Sequence, residues 1–270
     1  MIEYFQNLNP IGQAFIGTCF TWLATAAGAA VVLVYRRVSR KPLDVALGFA
    51  AGVMIAASFW SLLNPAIQMS VGRVSPVWLP AAVGFSAGGI FMRIVDKILP
   101  HLHPGFSGRQ VEGIKTSLKT NTLLVLAMTL HNIPEGLAIG VAFGAVAAGL
   151  PSATLAGAIA ITIGIALQDI PEGVAISMPL RRGGMSRFKS FWYGQLSGVV
   201  EIFGGVVGAA TAVLATSFLP YALSFAAGAM IYVVIEEVIP ESQTSGNADM
   251  ATLGTLFGFV LMMALDVGLS

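Results

Sequence analysis

Two hexapeptides of nearly the same composition, both set in apolar surroundings, carry the residues of this chain best able to do chemistry. They are His131-Asn132-Ile133-Pro134-Glu135-Gly136 and Gln168-Asp169-Ile170-Pro171-Glu172-Gly173. In a helix, residues i and i+4 share a face, so His131 points with Glu135 and Gln168 with Glu172. Asn132 and Asp169 sit about 100° round from them, toward an adjacent subsite. Pro134 and Pro171 donate no hydrogen bond to the carbonyls of Leu130 and Leu167, and Gly136 and Gly173 loosen the helix further. Carboxylates, amides and freed carbonyls together suit a cation. The imidazole of His131 tilts the choice toward a borderline divalent transition metal such as Zn²⁺, because Ca²⁺ and Mg²⁺ sites are built from oxygen.

The elements that hold these groups must lie in a membrane. The chain has 270 residues, 56% hydrophobic and only 10% charged, where soluble domains carry about a quarter charged residues. It reads as an all-α polytopic membrane protein, a single transmembrane domain over 1–270. Eight stretches reach the roughly 20 apolar residues a spanning helix needs: about 11–35, 43–67, 77–99, 119–144, 152–179, 190–215, 219–239 and 250–269. Met1 to Pro10 lack the basic region of a cleavable signal peptide, so the first span is expected to stay. Lys and Arg gather after span 1 (Arg36, Arg37, Arg40, Lys41), around the link from span 3 to span 4 and between spans 5 and 6. By the positive-inside rule these links are cytoplasmic and both termini face outward. The basic clusters are explained as topology signals, and a net charge of +1 points to no nucleic acid partner. Cys19 is the one cysteine, which excludes an intramolecular disulfide. Residues 100–118, with their Pro, Gly and charges, read as a mobile cytoplasmic loop.

A second echo is independent of the first. Phe49-Ala50-Ala51-Gly52-Val53-Met54-Ile55 in span 2 returns as Phe225-Ala226-Ala227-Gly228-Ala229-Met230-Ile231 in span 7. The copies run in opposite directions, as do spans 4 and 5. Opposed repeats are how many secondary transporters build two gates around one midplane site. The expected arrangement is 3+2+3, with spans 1–3 mirroring 6–8 around the motif pair, and with Asp96 and Asp266 as corresponding residues. Counting roughly 18–20 Å from the nearest basic residue at 1.5 Å per residue places His131, Gln168, Met54 and Glu201 at matching depth. Glu135 and Glu172 could then bridge two ions, one held with His131, Gln168 and Met54, the other with Asn132, Asp169 and Glu201.

At these residues the chain resembles the ZIP (Zrt/Irt-like) metal transporters of the compact bacterial kind. The resemblance covers essentially the whole length and rests most firmly on the H-N-x-P-E-G motif of span 4 and the x-D-x-P-E-G motif of span 5. It implies import of Zn²⁺, with Cd²⁺, Fe²⁺ and Mn²⁺ as further cargo, across a bacterial cytoplasmic membrane by an elevator-type homodimer. The metal is cargo, and no cofactor is implied. Carried over residue by residue, the binuclear centre falls on Met54, His131, Asn132, Glu135, Gln168, Asp169, Glu172 and Glu201. The chain departs from many relatives at Gln168, where they have His, and in the cytoplasmic loop, whose histidines are reduced to His101 and His103.

Plainer roles compete at several positions. Polar side chains such as Asn132, Gln168 and Asp169 can act as interhelical glue, and Met54 can simply fill a gap. Glu236 and Glu237 stand near the cytoplasmic end of span 7, where with His101 and His103 they form a candidate exit or gate. Asp44 and Asp96 at span ends read as caps or gate hydrogen bonds, and Ser61 and Asp266 mark the outer ends of spans 2 and 8. Gly204, Gly205 and Gly208, with Gly48 and Gly52, permit close helix approach. Two rival functions use the same residues. An intramembrane metallohydrolase would activate water with His131 and Glu135, but the chain lacks the H-E-x-x-H spacing. A selective metal channel would share the filter and differ in kinetics.

Overall fold

Eight apolar helices, each long enough to cross a bilayer, make up nearly the whole of the computed structural model, which describes residues 5–35, 38–98, 101–102, 111–112, 120–149 and 153–269. They are α1 (Pro10–Val34), α2 (Arg40–Ser70), α3 (Leu79–Ile98), α4 (Thr120–Ala147), α5 (Leu155–Arg182), α6 (Arg187–Leu214), α7 (Thr216–Gln243) and α8 (Ala248–Leu269). The chain is thus a multi-pass membrane protein, and the ends found differ from those read in the sequence by only a few residues. Among the described residues, the one addition to an all-helical plan is a ladder inside the expected loop, His101–Leu102 (β1) antiparallel to Val111–Glu112 (β2).

Local chemistry sets several of the starts. Asn9 accepts a hydrogen bond from the Gly12 amide at 2.7 Å and Pro10 follows it, a capped entrance to α1. Thr154 and Ser186 cap α5 and α6 in the same way, through the amides of Gly157 and Lys189. α2 and α7 each contain a π turn, Ser58–Leu63 and Val234–Val238, with a proline two residues beyond its end, Pro65 and Pro240. A proline ring pushes away the carbonyl four residues back, and the wider π turn takes up the misfit.

The motif helices are the most enclosed: 67% of the α4 span and 72% of the α5 span are buried, against 28–39% for α1, α3, α6 and α8. Apolar residues therefore cover α4 and α5 on nearly all sides. α1 lies along both α5 and α6, α4 lies along α6, α2 pairs with α8 and α3 pairs with α7; α2 also meets α5, and α7 meets α4.

Glycine makes the tightest of these contacts. A Cβ at Gly136 would collide with the backbone of Glu201 on α6, and one at Gly173 with the backbone of Thr25 on α1. The two motif glycines thus serve close packing; α4 and α5 run unbroken through Pro134 and Pro171. Gly48 and Gly52 meet α8 at Ala251 and Thr255, and Gly228 meets α3 at Phe85.

Candidate metal centre

α4 brings His131, Asn132 and Glu135 to one buried volume, α5 brings Gln168, Asp169 and Glu172, and α6 brings Glu201; none of the seven is more than 2% exposed. The i+4 spacing within α4 leaves His131 Nε2 3.8 Å from Glu135 Oε1, and the packing of α5 puts Glu172 Oε1 3.5 Å from the same nitrogen. Ligand atoms of His131, Glu135 and Glu172 all lie within 4.8 Å of one another, and so do those of Glu135, Asp169 and Glu201. A tetrahedral ion with bonds of about 2.0–2.2 Å holds its ligand atoms about 3.4 Å apart. The two His131 distances are near that spacing, the second triad lies within 4.8 Å, and Glu135 belongs to both.

The polar atoms of the centre are poorly satisfied by the protein itself. Both nitrogens of His131, both oxygens of Asp169 and Glu172, Asn132 Oδ1, Glu135 Oε2, Gln168 Oε1 and Glu201 Oε1 accept or donate no hydrogen bond. Buried polar atoms are normally paired, so a concentration of unpaired ones on one surface marks a place built for something else. The charge balance agrees. Four carboxylates with one imidazole cannot all stay ionised in an apolar interior unless cations offset them. The donor set of imidazole, carboxylate and amide fits a transition metal.

The amide nitrogen of Gln168 donates to Glu135 Oε1, so this residue orients the shared carboxylate and has only its own carbonyl left as a ligand. Met54 is fully buried on α2 in the apolar cluster that also holds Ile139 and Ile165, each about one turn from a motif residue. Glu237, read in the sequence as part of an exit, comes closer than that: its Oε2 lies 3.7 Å from His131 Nδ1. Glu236 is half-buried beside it on the same π turn. The backbone of His101 pairs with Glu112; the His101 side chain and His103 lie outside the described residues.

Two features escape a motif-based reading. The Thr21 hydroxyl on α1 donates to Glu201 Oε2, and the signal for it was a polar stripe, Thr18, Thr21 and Thr25, at helical spacing. On the other side of His131, Glu237 leads one turn on to buried Glu241, 3.9 Å from Arg40, which is 3.5 Å from buried Asp44. Asp44 accepts a hydrogen bond from Asn247 at 2.8 Å, so it ties α2 to the start of α8 instead of capping its own helix. At the opposite end of α2, Ser61 donates to Asp266 beside a cavity of about 320 Å³ that Trp60, Asn64 and Thr154 also line.

Comparison with known proteins agrees with this geometry. Residues 107–266 match the family described as ZIP Zinc transporter. The chain is 41% identical to "Zinc transporter ZIP11" of Bos taurus, over 97% of this chain and 98% of that protein. It is 37% identical to "Zinc transporter GufA" of Myxococcus xanthus, over 96% and 100% respectively. Against "Zinc transporter ZIPB" of Bordetella bronchiseptica the identity is 38%, over 98% of this chain and 84% of the relative. The hydrolase reading of the same residues is set aside by these matches. The chain belongs to the ZIP zinc transporter family and is a transporter, not an enzyme.

Proposed function

We propose that the protein imports Zn²⁺, with Cd²⁺, Fe²⁺ and Mn²⁺ as further cargo, through a two-ion centre formed by Met54, His131, Asn132, Glu135, Gln168, Asp169, Glu172 and Glu201. The observation that carries this reading is the pair of buried triads sharing Glu135. An ion arriving at the Ser61–Asp266 end exchanges its water for these ligands, and their charges are offset while it is held. Glu237, in reach of His131, offers the next carboxylate toward Glu241 and the basic side.

Alternating access in this reading comes from an inverted 3+2+3 repeat, and the packing supports it. Thr25 with Glu201, Gly28 with Gly204 and Phe49 with Phe225 share one offset in sequence; Gly84 with Gly254, Gly88 with Gly258 and Asp96 with Asp266 share another. The glycine pairs make corresponding contacts: Gly28 packs on the Ile170 carbonyl and Gly204 on that of Ile133, the equivalent motif positions. The π turns of α2 and α7 also begin at corresponding residues. α1, α4, α5 and α6 would move as one body against α2, α3, α7 and α8, in an elevator. By the same resemblance the protein works as a homodimer in a bacterial cytoplasmic membrane, both termini outside.

The test is ⁶⁵Zn²⁺ uptake into proteoliposomes. Wild type should accumulate zinc above empty liposomes, with saturation, whereas His131→Ala and Glu135→Ala should lose at least nine-tenths of the rate. Uptake at the wild-type rate in both variants rejects this centre as the path, and a rate linear in zinc up to millimolar concentration would point to a channel.

A further inference from the structure

The contacts around Glu201 single out a residue that no motif contains. α1 and α6 pack on the two motif helices in matching ways: Gly173 presses on the backbone of Thr25, and Gly136 on the backbone of Glu201. At equivalent places, then, α6 presents a carboxylate and α1 a hydroxyl. The centre is lopsided, and the α1 side is a wall of buried threonines, with Thr18 and Thr21 0% and Thr25 1% exposed.

That wall holds Glu201. Thr21 Oγ1 donates to Glu201 Oε2, while Glu201 Oε1 has no hydrogen-bond partner. One oxygen is tied back and the other is unpartnered, on a carboxylate that belongs with Glu135 and Asp169 in the second triad. Gly198 keeps this oxygen unobstructed, since a Cβ there would stand 3.1 Å from both Glu201 Oε1 and Thr25 Oγ1. Thr21 also has an alternative acceptor, the Thr18 carbonyl at 3.1 Å, and Thr25 bonds the Thr21 carbonyl at 3.3 Å. The single Thr21 proton can therefore leave Glu201 without becoming an unpaired buried donor, which keeps the cost of reorienting the carboxylate low.

We infer that Thr21 is a positioning residue for the second ion: its hydroxyl sets the orientation of Glu201 and so determines whether the Glu135–Asp169–Glu201 subsite fills. The inference rests on the two-ion reading above. Partners that orient metal ligands typically contribute 10–100-fold in affinity, and that is the effect expected here, confined to one of the two ions.

The experiment is a Zn²⁺ titration of the purified full-length protein in detergent, by calorimetry with bound metal counted by elemental analysis. Wild type should bind two ions. Thr21→Val, which keeps the shape and removes the hydroxyl, should bind the first ion with unchanged affinity and the second at least tenfold more weakly. Thr21→Ser should restore the second affinity. Gly198→Ala, which crowds Glu201 Oε1 without touching Thr21, should weaken the same ion. Unchanged binding of both ions in Thr21→Val overturns the inference, as does equal loss in Thr21→Val and Thr21→Ser. A wild type that binds one ion at saturation removes the two-ion reading itself, a failure distinct from that of Thr21.

Discussion

Glu135 is the residue on which the two halves of the centre depend, because its ligand atoms stand within reach of both triads while Gln168 holds it in place. Asp169 stands in one triad only. The two should separate on substitution. Glu135→Gln is expected to lower bound zinc toward zero, and Asp169→Asn to lower it from two ions to one, with the His131–Glu172 ion retained; equilibrium dialysis with metal analysis distinguishes them. The histidine, the amides and the paired carboxylates were legible in the sequence because helical spacing alone puts them on shared faces. Thr21 and the contact of Glu237 with His131 were not, because each depends on how a distant helix docks.

Among the elements, α4 and α5 were located to within a few residues by hydropathy, and a place at the centre was expected of them as the motif pair between two mirrored sets of spans. What the sequence hid was the use of the motif glycines. Read locally, a glycine two residues after a proline is a weak point; in the packed protein Gly136 and Gly173 are where the neighbouring backbones come closest. Gly136→Ala should therefore force α4 and α6 apart, at a cost of about 1–3 kcal/mol for overpacking, and should reduce uptake because Glu201 moves with α6. Gly89→Ala on α3, whose added Cβ would meet nothing nearer than 3.9 Å, should leave both unchanged. Thermal melting in detergent and zinc uptake, measured on both variants, check this. The π turns were equally invisible beforehand, since hydropathy does not change where a helix widens by one residue.

For the whole molecule, the seams between the proposed bodies differ from those within them. α2 and α8 interlock through glycines and tilted rings, with Phe49 and Phe257 centroids 5.9 Å apart. Between α2 and α5 lies an apolar groove lined by Ala46, Phe49, Leu167 and Ile170. In a Cys19→Ser background, cross-linking Ala46→Cys to Ile170→Cys should cut zinc uptake at least tenfold, while cross-linking Phe49→Cys to Phe257→Cys should spare it. Equal loss from both would mean that transport needs no sliding along this seam. Eight spans and a repeated pattern could be read from composition and echo, but which helices pack on which follows from tertiary contacts.

The π turns lie toward opposite ends of the molecule, one beside the Ser61–Asp266 pair and the other between His131 and the Glu241–Arg40 pair. Asn64 reaches back to the Phe59 carbonyl and Ile239 to that of Val234, and the prolines that follow supply no donor for the next carbonyl in either helix. An oxygen left in this way is very unfavourable in hydrocarbon unless a neighbouring helix, a hydroxyl or water satisfies it, so each turn marks a depth at which water would find an acceptor. Were water to reach both turns, the membrane voltage would fall over the shorter stretch between them instead of over the full bilayer. A doubly charged ion crossing that stretch with nothing to cancel its charge would exchange about 4.6 kcal/mol with the field per 100 mV, whereas one carried among ionised carboxylates would exchange almost none.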